Sequence, residues 1–579
     1  MASIHAFCMR LVSPPAATRA TLGAGLVLLV FFFIQGALFI RANSPTYDEG
    51  MHLTAGYSYL ATGDFRLEPQ NPPLIKLFLA LPLFLGYEPP FNPDPEHWRN
   101  GAEFFVGQDF LYRSTLRADQ TLFLSRLPNL FLGGLMVALN GWWAYRIWGN
   151  SAAILAMALA GLDPNLVAHS SLVTTDTGAA LFIFLSVYLL WEYVNFPRWW
   201  LLASTGVAVG FALVAKFSAI LLLPMIASVL GIAVLSGGEG CAYLPLGKQP
   251  NKLTYRLLHA GTVLLVILVS ALPMIPLAYF LRGFELWLFG FQRFMALAQL
   301  GQPAFFLGEY SYQGWWNYFV VAFLIKTPIG TLVLVAASLI FYRVGSSLGR
   351  REALFLLVPV AVIFFATTQA KVNIGLRHVL PVYPFLFVLA SRLATVHFRH
   401  WLTSFVVAVP LVFTAISSLW IAPHQLAYFN EFVGGPAQGY YYLADSNLDW
   451  GQDLKGVKTY MEKENLPIIY LSYHGTAPPS YYGIRYQYVP GAWPLEWPPP
   501  ADKVPANAPR KVLAISVYNL QDVAFSYDPL FRWLWVRNPI AKIGYSIFVY
   551  DLTNDREGLA KLEETYVKLG IGPTPVMSR

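Results

Sequence analysis

Residues 21–40 read TLGAGLVLLVFFFIQGALFI, and the hexapeptide YDEGMH follows at positions 47–52. The first stretch has no charged residue and has the length that an α-helix needs to cross the hydrocarbon core of a bilayer. The hexapeptide places two adjacent carboxylates, Asp48 and Glu49, just beyond the end of that helix. Because a carboxylate beside the apolar part of a membrane is costly unless it lines a polar cavity or a substrate path, we expect these residues to form part of a functional site.

The whole composition is that of a membrane protein. Of the 579 residues, 56% are hydrophobic and 12% are charged, which is about half of the charged fraction usual in soluble domains. Apolar segments long enough to span recur along the chain, and they predict an all-α polytopic protein with about eleven transmembrane helices. The short, proline-flanked segment 72–86 is predicted to lie in the interface. The predicted spans are 21–40, 121–144, 151–168, 178–194, 199–214, 217–235, 257–281, 318–342, 353–368, 379–393 and 401–421.

Basic residues collect on one side of these spans, which the positive-inside rule assigns to the cytoplasm. They are Arg10, Arg19, Arg146, Arg198, Lys248, Lys252, Arg256, Arg343, Arg350, Arg351 and Arg399. The N-terminus is therefore predicted to be cytoplasmic, with an uncleaved signal anchor. Asp48, Asp176 and the chain after Pro423 are predicted to face the extracytoplasmic side. Both cysteines, Cys8 and Cys241, then fall on the reducing side, so the outer part cannot rely on disulfides.

The net charge of +7 does not indicate a nucleic-acid partner, because the basic residues are spread over loop ends rather than gathered on one face.

Composition divides the chain into a transmembrane part, 1–422, and a less apolar C-terminal part, 423–579. The transmembrane part includes a first extracytoplasmic loop, 41–120, that is rich in proline, aromatic and acidic residues and is predicted to carry interfacial helices. In the C-terminal part, a helix at 452–464 and strands at 467–473, 511–517 and 546–550 predict an extracytoplasmic α/β domain. The proline-rich stretch 490–500 is predicted to be an extended loop.

Asp48 and Glu49 are consecutive and would point about 100° apart on a helix, so they cannot face each other as an acid/base pair. One of them is expected to do the main chemical work, as a base that takes a proton from an incoming hydroxyl or amine. A solvated acidic loop at a helix start is the structural alternative. Asp176 is either a first-turn helix acid or a third carboxylate in the same cleft.

Several cations lie near the outer ends of the predicted spans, where positive charge should be rare. We therefore expect each of them to have a negatively charged partner. Internal carboxylates are one such partner. A lipid phosphate is another, because Arg and Lys both bind anionic oxygens well. Arg377 is the preferred phosphate ligand, since it belongs to a dense polar cluster at 371–378. The candidates are Lys76, Arg126, Lys216, Arg282, Arg293, Lys371, Arg377 and His378.

Familiar cofactor and metal motifs are missing. The sequence has no Walker loop, no glycine-rich dinucleotide turn and no zinc spacing such as His-Glu-x-x-His. Asp445, Asp449 and Asp453 have a four-residue spacing, but a capped helix start is the commoner meaning of that pattern. We therefore predict no metal site.

Taken as an ordered set, several blocks resemble the dolichyl-phosphate-mannose protein mannosyltransferases and their bacterial relatives, the aminoarabinose lipid A transferases. Asn71-Pro72-Pro73-Leu74-Ile75-Lys76 is similar to that family's His-Pro-Pro-Leu-Gly-Lys, with Asn71 in place of a histidine or charged residue. The resemblance extends over roughly the first 425 residues. The other blocks are Asp48-Glu49, Gly63-Asp64, Arg126-Leu127-Pro128, Asp176, Ala215-Lys216-Phe217, Lys326-Thr327-Pro328 and Arg377-His378-Val379-Leu380-Pro381-Val382-Tyr383-Pro384.

This resemblance implies a GT-C fold in the inner membrane and an inverting transfer of a sugar from a polyprenyl phosphate to an acceptor on the extracytoplasmic face. Asp48 would be the base and Glu49 its neighbour in the acceptor site. His52, Asn71, Lys76, Arg126, Asp176, Lys216, Lys371, Arg377 and His378 would bind substrate. No cofactor is expected, because Lys and Arg can stabilise a lipid monophosphate leaving group without a divalent metal. The partners are the lipid-linked sugar, membrane lipid and an acceptor protein or glycolipid.

Two other classes of function remain open at this stage. A multi-span transporter or lipid flippase would have ionisable residues near helix midpoints and interrupted helices in paired positions. A membrane-anchored binding or scaffold protein would use the C-terminal part and leave the Asp48 region dispensable.

Overall fold

The computed structural model describes residues 17–235, 253–342, 348–396, 400–492 and 502–569. Both cysteines, five of the basic residues used to predict orientation (Arg10, Lys248, Lys252, Arg343 and Arg399) and most of the predicted loop 490–500 lie outside these ranges.

Helices dominate the chain up to residue 421. The first helix of the described residues, Arg19–Ala42, is capped by Thr18, whose hydroxyl accepts a hydrogen bond from the Thr21 amide at 3.1 Å. The other α-helices of this part are Glu49–Thr62, Pro73–Gly86, Pro95–Arg99, Glu103–Tyr112, Ala118–Trp148, Asn150–Leu162, Pro164–Ser170, Asp176–Asn195, Trp199–Ala215, Leu222–Leu235, Leu253–Ala271, Met274–Ala278, Glu285–Leu300, Tyr318–Lys326, Ile329–Ile340, Arg350–Thr367, Val382–Ser391 and His400–Ile421.

Every predicted span coincides with helical structure, but the count of eleven crossings is not confirmed. In the described residues, five helices are long and apolar enough to cross a membrane, or seven if each of two bent helix pairs counts as one span. Four further apolar helices have 10–17 residues, among them Pro73–Gly86. The chain is therefore a multi-pass membrane protein.

The two bent pairs have a local cause in the sequence. The helices Asn150–Leu162 and Pro164–Ser170 meet at 64°, and Tyr318–Lys326 and Ile329–Ile340 meet at 111°. At each bend a residue that precedes a proline has extended backbone angles, because the proline ring disfavours the helical conformation before it. At the first bend the side chain of that residue, Asp163, caps the new helix through the Leu166 amide at 2.9 Å.

The C-terminal part contains a five-stranded mixed sheet in the order β4-β3-β5-β7-β6. Its strands are β3 (Ile469–Ser472), β4 (Tyr486–Tyr488), β5 (Val512–Ser516), β6 (Ala541–Ile543) and β7 (Ile547–Asp551). β3 pairs in parallel with β4 and β5, and β7 pairs antiparallel with β5 and β6. A hairpin of β1 (Ala304–Phe306) and β2 (Glu309–Ser311) lies earlier in the chain. The C-terminal α-helices are Leu454–Lys463, Val517–Leu520 and Arg556–Lys568.

This sheet confirms the three predicted strands, and Leu454–Lys463 confirms the predicted helix. The central strands β3 and β5 are buried along their whole length, which explains why each could be recognised as a short apolar run. β4 and β6 have three residues each and gave no such signal. The division into two domains at residue 422 stays a prediction.

Short 3₁₀ helices carry the chain through the irregular region between the last long apolar helix and the sheet. This region is tied to the helical part by backbone hydrogen bonds, namely Ser44 amide to Gln452 oxygen at 2.8 Å, Tyr47 amide to Trp450 oxygen at 2.8 Å and Asn430 amide to Ile325 oxygen at 2.8 Å. The segment after the first helix therefore lies directly against residues 450–452. Within the described residues, the 3₁₀ helices are Phe217–Leu221, Leu376–Val379, Arg392–Thr395, Gln425–Ala427, Glu431–Val433, Pro436–Tyr441, Asp445–Asn447, Pro479–Tyr482, Val523–Phe525 and Arg532–Val536.

Candidate active site

The candidate site is built around an ion pair between residues 329 positions apart. Arg377 Nη1 donates to Asp48 Oδ2 at 2.9 Å, with side-chain exposures of 10% for Arg377 and 16% for Asp48. Asp48 immediately precedes the helix Glu49–Thr62, and Arg377 lies in the 3₁₀ helix Leu376–Val379. The structure thus brings together the predicted base and the preferred phosphate ligand while leaving both partly accessible.

Arg377 is held from a second direction by the C-terminal part. Its guanidinium carbon lies 4.2 Å from the centre of the buried Trp450 ring, a cation–π contact that fixes the plane of the side chain. Burial lowers the pKa of Arg377, but the carboxylates of Asp48, Asp176 and Asp445 together raise it above its ordinary value. The guanidinium is thus a fixed positive charge at the centre of an acidic group of side chains.

A second ion pair lies in the same electrostatic neighbourhood. Asp176, at the start of the helix Asp176–Asn195, pairs with Lys216, which lies at the break between the helix Trp199–Ala215 and the following 3₁₀ helix. The side chain of Lys216 remains 14% exposed, whereas that of Asp176 is 2% exposed. The negative charges of Asp176 and Asp48 both raise the pKa of Arg377. The carboxylates at the starts of two helices that are distant in the sequence therefore belong to one site.

Two histidines complete the polar cluster without finding partners of their own. In the described residues, the ring atoms His378 Nε2 and His169 Nδ1 are buried and make no hydrogen bond, and neither does Arg377 Nε. Burial lowers the pKa of His378, and the cations Lys216 and Arg377 lower it further, so the ring is neutral at physiological pH. Unpartnered polar atoms of this kind call for a ligand or ordered water.

Glu49 differs from its neighbour because it is fully buried and saturated by contacts. Its carboxylate accepts bonds from Arg126 Nε at 2.8 Å and Arg126 Nη2 at 2.6 Å, and from the amides of Thr46 and Val173 at 2.7 Å each. Burial raises the pKa of Glu49, but Arg126 outweighs burial and the pKa is lowered overall. The predicted catalytic role of Glu49 is not supported, because no oxygen of this carboxylate is free for an acceptor.

The same pair removes Arg126 from the predicted phosphate ligands. A guanidinium has five N–H donors. Besides the two bonds to Glu49, Arg126 donates to the main-chain oxygens of Ile40, Asn43 and Ser44 at 3.0–3.1 Å. All five donors are used and the side chain is buried. Arg126 therefore joins the first helix, the Asp48 loop and its own helix, and it cannot also bind a substrate phosphate in this arrangement.

Lys76, Asn71 and His52 converge on a buried carboxylate, Glu68. His52 Nδ1 lies 2.8 Å from the Glu68 carboxylate, Asn71 Nδ2 donates to it at 2.6 Å and Lys76 Nζ lies 3.4 Å away. Lys76 also donates to the Tyr59 hydroxyl and to the main-chain oxygens of Glu68 and Asn71 at 2.7–2.9 Å. With its donors used and its side chain buried, Lys76 is a structural cation here, and its predicted substrate contact is not supported. The predicted substrate contacts of His52 and Asn71 stay predictions.

Lys371 lies outside the cluster. Its Nζ donates to the main-chain oxygen of Gln299 at 3.2 Å in an exposed position. Of the predicted site residues, the structure therefore groups Asp48, Asp176, Lys216, Arg377 and His378 in one place.

Sequence reasoning missed two carboxylates that this geometry makes prominent. Glu68 gave no signal, since it stands alone in a loop three residues before Asn71. In the sequence Asp445 stands out only through a four-residue spacing, yet its carboxylate interacts electrostatically with Arg377 and Asp48. Its side-chain environment is set by contacts from remote parts of the chain, which no local pattern reveals.

A cavity of about 290 Å³ opens behind the Glu68 cluster. Tyr59 and Asn71 line it, together with the side chains of Arg66 and Arg282. Arg66 is already paired with Asp64 at 2.6 Å. In the part of the chain that the structure describes, no three His, Cys, Asp or Glu side chains are grouped so that they could hold a metal ion.

Comparison with known proteins gives one family match. The model of the family described as dolichyl-phosphate-mannose-protein mannosyltransferase matches residues 24–286. This range includes the blocks from Asp48 to Lys216, so the resemblance predicted from them is confirmed. The blocks at Lys326 and Arg377 lie beyond it. No curated protein matches the chain.

Among the solved structures that the chain matches are two of ArnT and one of AglB. ArnT from Cupriavidus metallidurans in the apo state has a TM-score of 0.48 and 14% identity, covering 92% of this chain and 98% of ArnT. The same protein bound to undecaprenyl phosphate has a TM-score of 0.47 and 15% identity, covering 93% and 98%. The Archaeoglobus fulgidus oligosaccharyltransferase AglB, in complex with an inhibitory peptide and a dolichol-phosphate, has a TM-score of 0.40 and 12% identity, covering 76% of this chain and 58% of AglB.

Proposed function

We propose that this protein is an integral-membrane glycosyltransferase that moves a sugar from a polyprenyl-phosphate donor to a hydroxyl acceptor on the extracytoplasmic face, with inversion. The observation that carries the proposal is the partly exposed pair of Asp48 and Arg377, together with the pair of Asp176 and Lys216, whose carboxylate acts electrostatically on Arg377. One site thereby contains a carboxylate that can accept a proton and cations that can bind a phosphate. The family match over residues 24–286 supports the same class of reaction.

In this proposal Asp48 is the base. The acceptor hydroxyl oxygen attacks the anomeric carbon, the bond from that carbon to the phosphate oxygen breaks, and the electron pair leaves with the lipid phosphate. The hydroxyl proton passes to Asp48. Because the leaving phosphate gains charge in the transition state, preorganised cations beside it lower the barrier.

Arg377 and Lys216 are the cations assigned to the phosphate. Arg377 uses Nη1 for Asp48 and leaves its buried Nε without a partner, so it can bind an anionic oxygen without releasing the base. Lys216 is held near the site by Asp176 and keeps part of its surface exposed. This assignment replaces Arg126 and Lys76, whose donors are already used inside the protein.

The test is transfer by purified protein in liposomes, with a polyprenyl-phosphate-sugar fraction as donor and a glycoconjugate extract of cells lacking this protein as acceptor. We expect Asp48→Asn to lower the rate by roughly 10²–10⁴-fold, the usual contribution of a general base. Asp64→Asn, which changes a more exposed ion pair of the same outer loop, is the matched control and should keep the wild-type rate. Full turnover by Asp48→Asn would remove Asp48 from the mechanism, and absence of any donor cleavage by the wild type would overturn the proposed function.

A further inference from the structure

Asp445 reaches the candidate site from the far end of the chain. It begins the 3₁₀ helix Asp445–Asn447, which is fastened to the residues just before Arg377. Ser446 Oγ donates to the Ile374 oxygen at 2.8 Å, and the Leu376 amide donates to Asn447 Oδ1 at 2.9 Å. Five residues after Asp445, Trp450 packs against the Arg377 guanidinium. The segment 445–450 therefore frames the pair of Asp48 and Arg377.

The backbone of Asp445 is in the left-handed region, with φ of 56°. This conformation is uncommon outside glycine, although Asp and Asn tolerate it better than other residues. The carboxylate accepts a bond from the Ser446 amide at 2.5 Å. Burial raises the pKa of Asp445 to about 7, with Arg377 lowering it and Asp48 raising it. The carboxylate thus lies close enough to both residues to feel their charges.

Asp445 is not needed to neutralise the cations of the site. The two cations Arg377 and Lys216 already have the two carboxylates Asp48 and Asp176 as direct partners. Within the described ranges, Asp445 takes part in no ion pair of its own. A third buried carboxylate without a cation is costly, and the neighbouring atoms Arg377 Nε and His378 Nε2 are buried and unpartnered. Together these features indicate a ligand that the protein itself does not supply.

We propose that Asp445 binds a hydroxyl of the acceptor next to the nucleophilic one, opposite Asp48, and so orients the nucleophilic oxygen toward the anomeric carbon of the donor. The inference rests on the proposed function and deepens it. This neighbouring hydroxyl donates its hydrogen bond to the Asp445 carboxylate, and the nucleophilic hydroxyl donates to Asp48. Arg377 and Lys216 hold the donor phosphate. The acceptor subsite then belongs to the C-terminal part of the chain, and the donor subsite belongs to the helical part.

Aromatic side chains beside Asp445 give this subsite a wall. The rings of Tyr47 and His474 are stacked with centres 5.2 Å apart, and those of His474 and Tyr518 are stacked at 3.9 Å. The Asp445 charge acts on both tyrosines. Because aromatic rings exclude water from a neighbouring hydrogen bond, they strengthen the contact between a carboxylate and a hydroxyl.

The experiment compares two reactions of the same donor in liposomes, namely transfer to the glycoconjugate extract and hydrolysis by water when that extract is omitted. We expect Asp445→Asn to lower the ratio of transfer to hydrolysis by roughly ten- to a hundredfold, as the loss of a hydrogen bond to a charged group predicts. Asn keeps the size of the side chain and tolerates the left-handed backbone. Asp48→Asn should instead lower both reactions together.

The ratio should also depend on pH. In the wild type it should rise as the pH passes through about 7, where Asp445 loses its proton, and this rise should be absent from Asp445→Asn. The charged and titratable groups that act on Asp445 or feel its charge are Arg377, Asp48, Tyr47, Tyr318 and Tyr518. Neither Tyr47 nor Tyr518 ionises near pH 7, since burial raises the pKa of each.

Asp528→Asn is the matched control, because Asp528 is an exposed carboxylate of the same C-terminal part, paired with Lys568 on the surface. It should keep the wild-type ratio. Asp445→Ala is a second variant, and thermal unfolding in detergent checks that both Asp445 variants fold. An unchanged ratio in both would overturn the inference, as would equal losses of transfer and hydrolysis. A wild type that cleaves no donor would instead refute the proposed function.

Discussion

Two adjacent carboxylates in this protein have opposite environments. Asp48 keeps 16% of its side chain exposed beside Arg377, whereas the Glu49 side chain is fully buried and its carboxylate accepts bonds from Arg126 and two amides. Their directions diverge because consecutive residues at a helix start point to different sides. The buried pair of Glu49 and Arg126 holds in place the loop that presents Asp48. These two residues therefore position the candidate base and do not contact the substrate themselves.

Breaking the buried pair should therefore destabilise the protein. We expect Arg126→Met to lower the free energy of unfolding by about 3–5 kcal/mol, because it leaves the Glu49 charge buried without a partner. The double variant Glu49→Gln with Arg126→Met should recover part of this loss. Unfolding in mixed micelles with increasing denaturant provides the measurement. If Arg126→Met kept full stability and lost only donor binding, Arg126 would be a phosphate ligand after all.

The direction of the Glu49 pKa shift also predicts how the stability of the protein depends on pH. Because folding lowers the pKa of Glu49, the pair stabilises the protein above the unfolded pKa of about 4.3. This contribution is lost as the pH falls through the folded value. The stability difference between wild type and the double variant should thus shrink in acid.

Transfer should proceed without a divalent ion, since two protein cations are assigned to the leaving phosphate. We expect EDTA to leave the rate of transfer unchanged in metal-depleted buffer. The control adds Mg²⁺ or Mn²⁺ back after chelation. A rate that is lost in EDTA and returns only with the added ion would refute the metal-free proposal.

At the scale of elements, the first outer loop is organised by a buried polar cluster. Glu68 binds His52 from one helix and Lys76 from the next, so it fixes the angle between Glu49–Thr62 and Pro73–Gly86. Burial raises the pKa of Glu68, but His52 and Lys76 outweigh it and the pKa is lowered overall. Since Asp48 precedes the first of these helices, the cluster positions the candidate base.

Removing the central charge of this cluster should loosen the loop. We expect Glu68→Gln to lower stability by about 1–3 kcal/mol or more, because the buried Lys76 ammonium then lacks its counter-charge. Limited proteolysis should cleave the outer loop faster in this variant than in the wild type. Asp64→Asn alters a more exposed ion pair of the same loop. It should change the free energy of unfolding by no more than about 1 kcal/mol and should leave the cleavage rate close to that of the wild type. Equal cleavage in both variants would contradict the structural role of Glu68.

At the scale of the whole molecule, the helical part and the C-terminal part form the site together. The helix Asp176–Asn195 runs from the site to the opposite end of the bundle, about 30 Å away at 1.5 Å per residue. Arg198 and the exposed Trp199 lie just beyond that far end. Tryptophans are typical of either membrane interface, and basic residues are typical of the cytoplasmic one.

This arrangement predicts the orientation of the chain. After replacement of Cys8 and Cys241 by serine, we expect Tyr527→Cys to react with a membrane-impermeant maleimide in intact cells. Trp199→Cys should react only after permeabilisation. Both side chains are well exposed, at 88% for Tyr527 and 76% for Trp199, so access alone does not separate them. The reverse pattern would place Asp48 on the cytoplasmic side and would exclude an extracytoplasmic reaction.

The sequence alone determined the helices, because apolar runs and their ends are local properties. It also determined that Asp48 follows the first helix, and that Asp176 starts a later one. It predicted the buried strands β3, β5 and β7 for the same reason, since each is a short continuous apolar run. The bends at Asp163 and Thr327 could have been placed from the prolines that follow them, yet their angles depend on packing.

Only the tertiary structure decided which charged side chains are used up inside the protein. Arg126, Lys76 and Arg377 are all cations near predicted helix ends. Internal acceptors use all five donors of Arg126, and a buried carboxylate and three other oxygens hold Lys76. Of the three side chains, only Arg377 keeps a donor without a partner. Asp445 enters the site through contacts with residues about seventy positions away. Hydrophobic periodicity is local, whereas the pairing of charges depends on which distant segments meet.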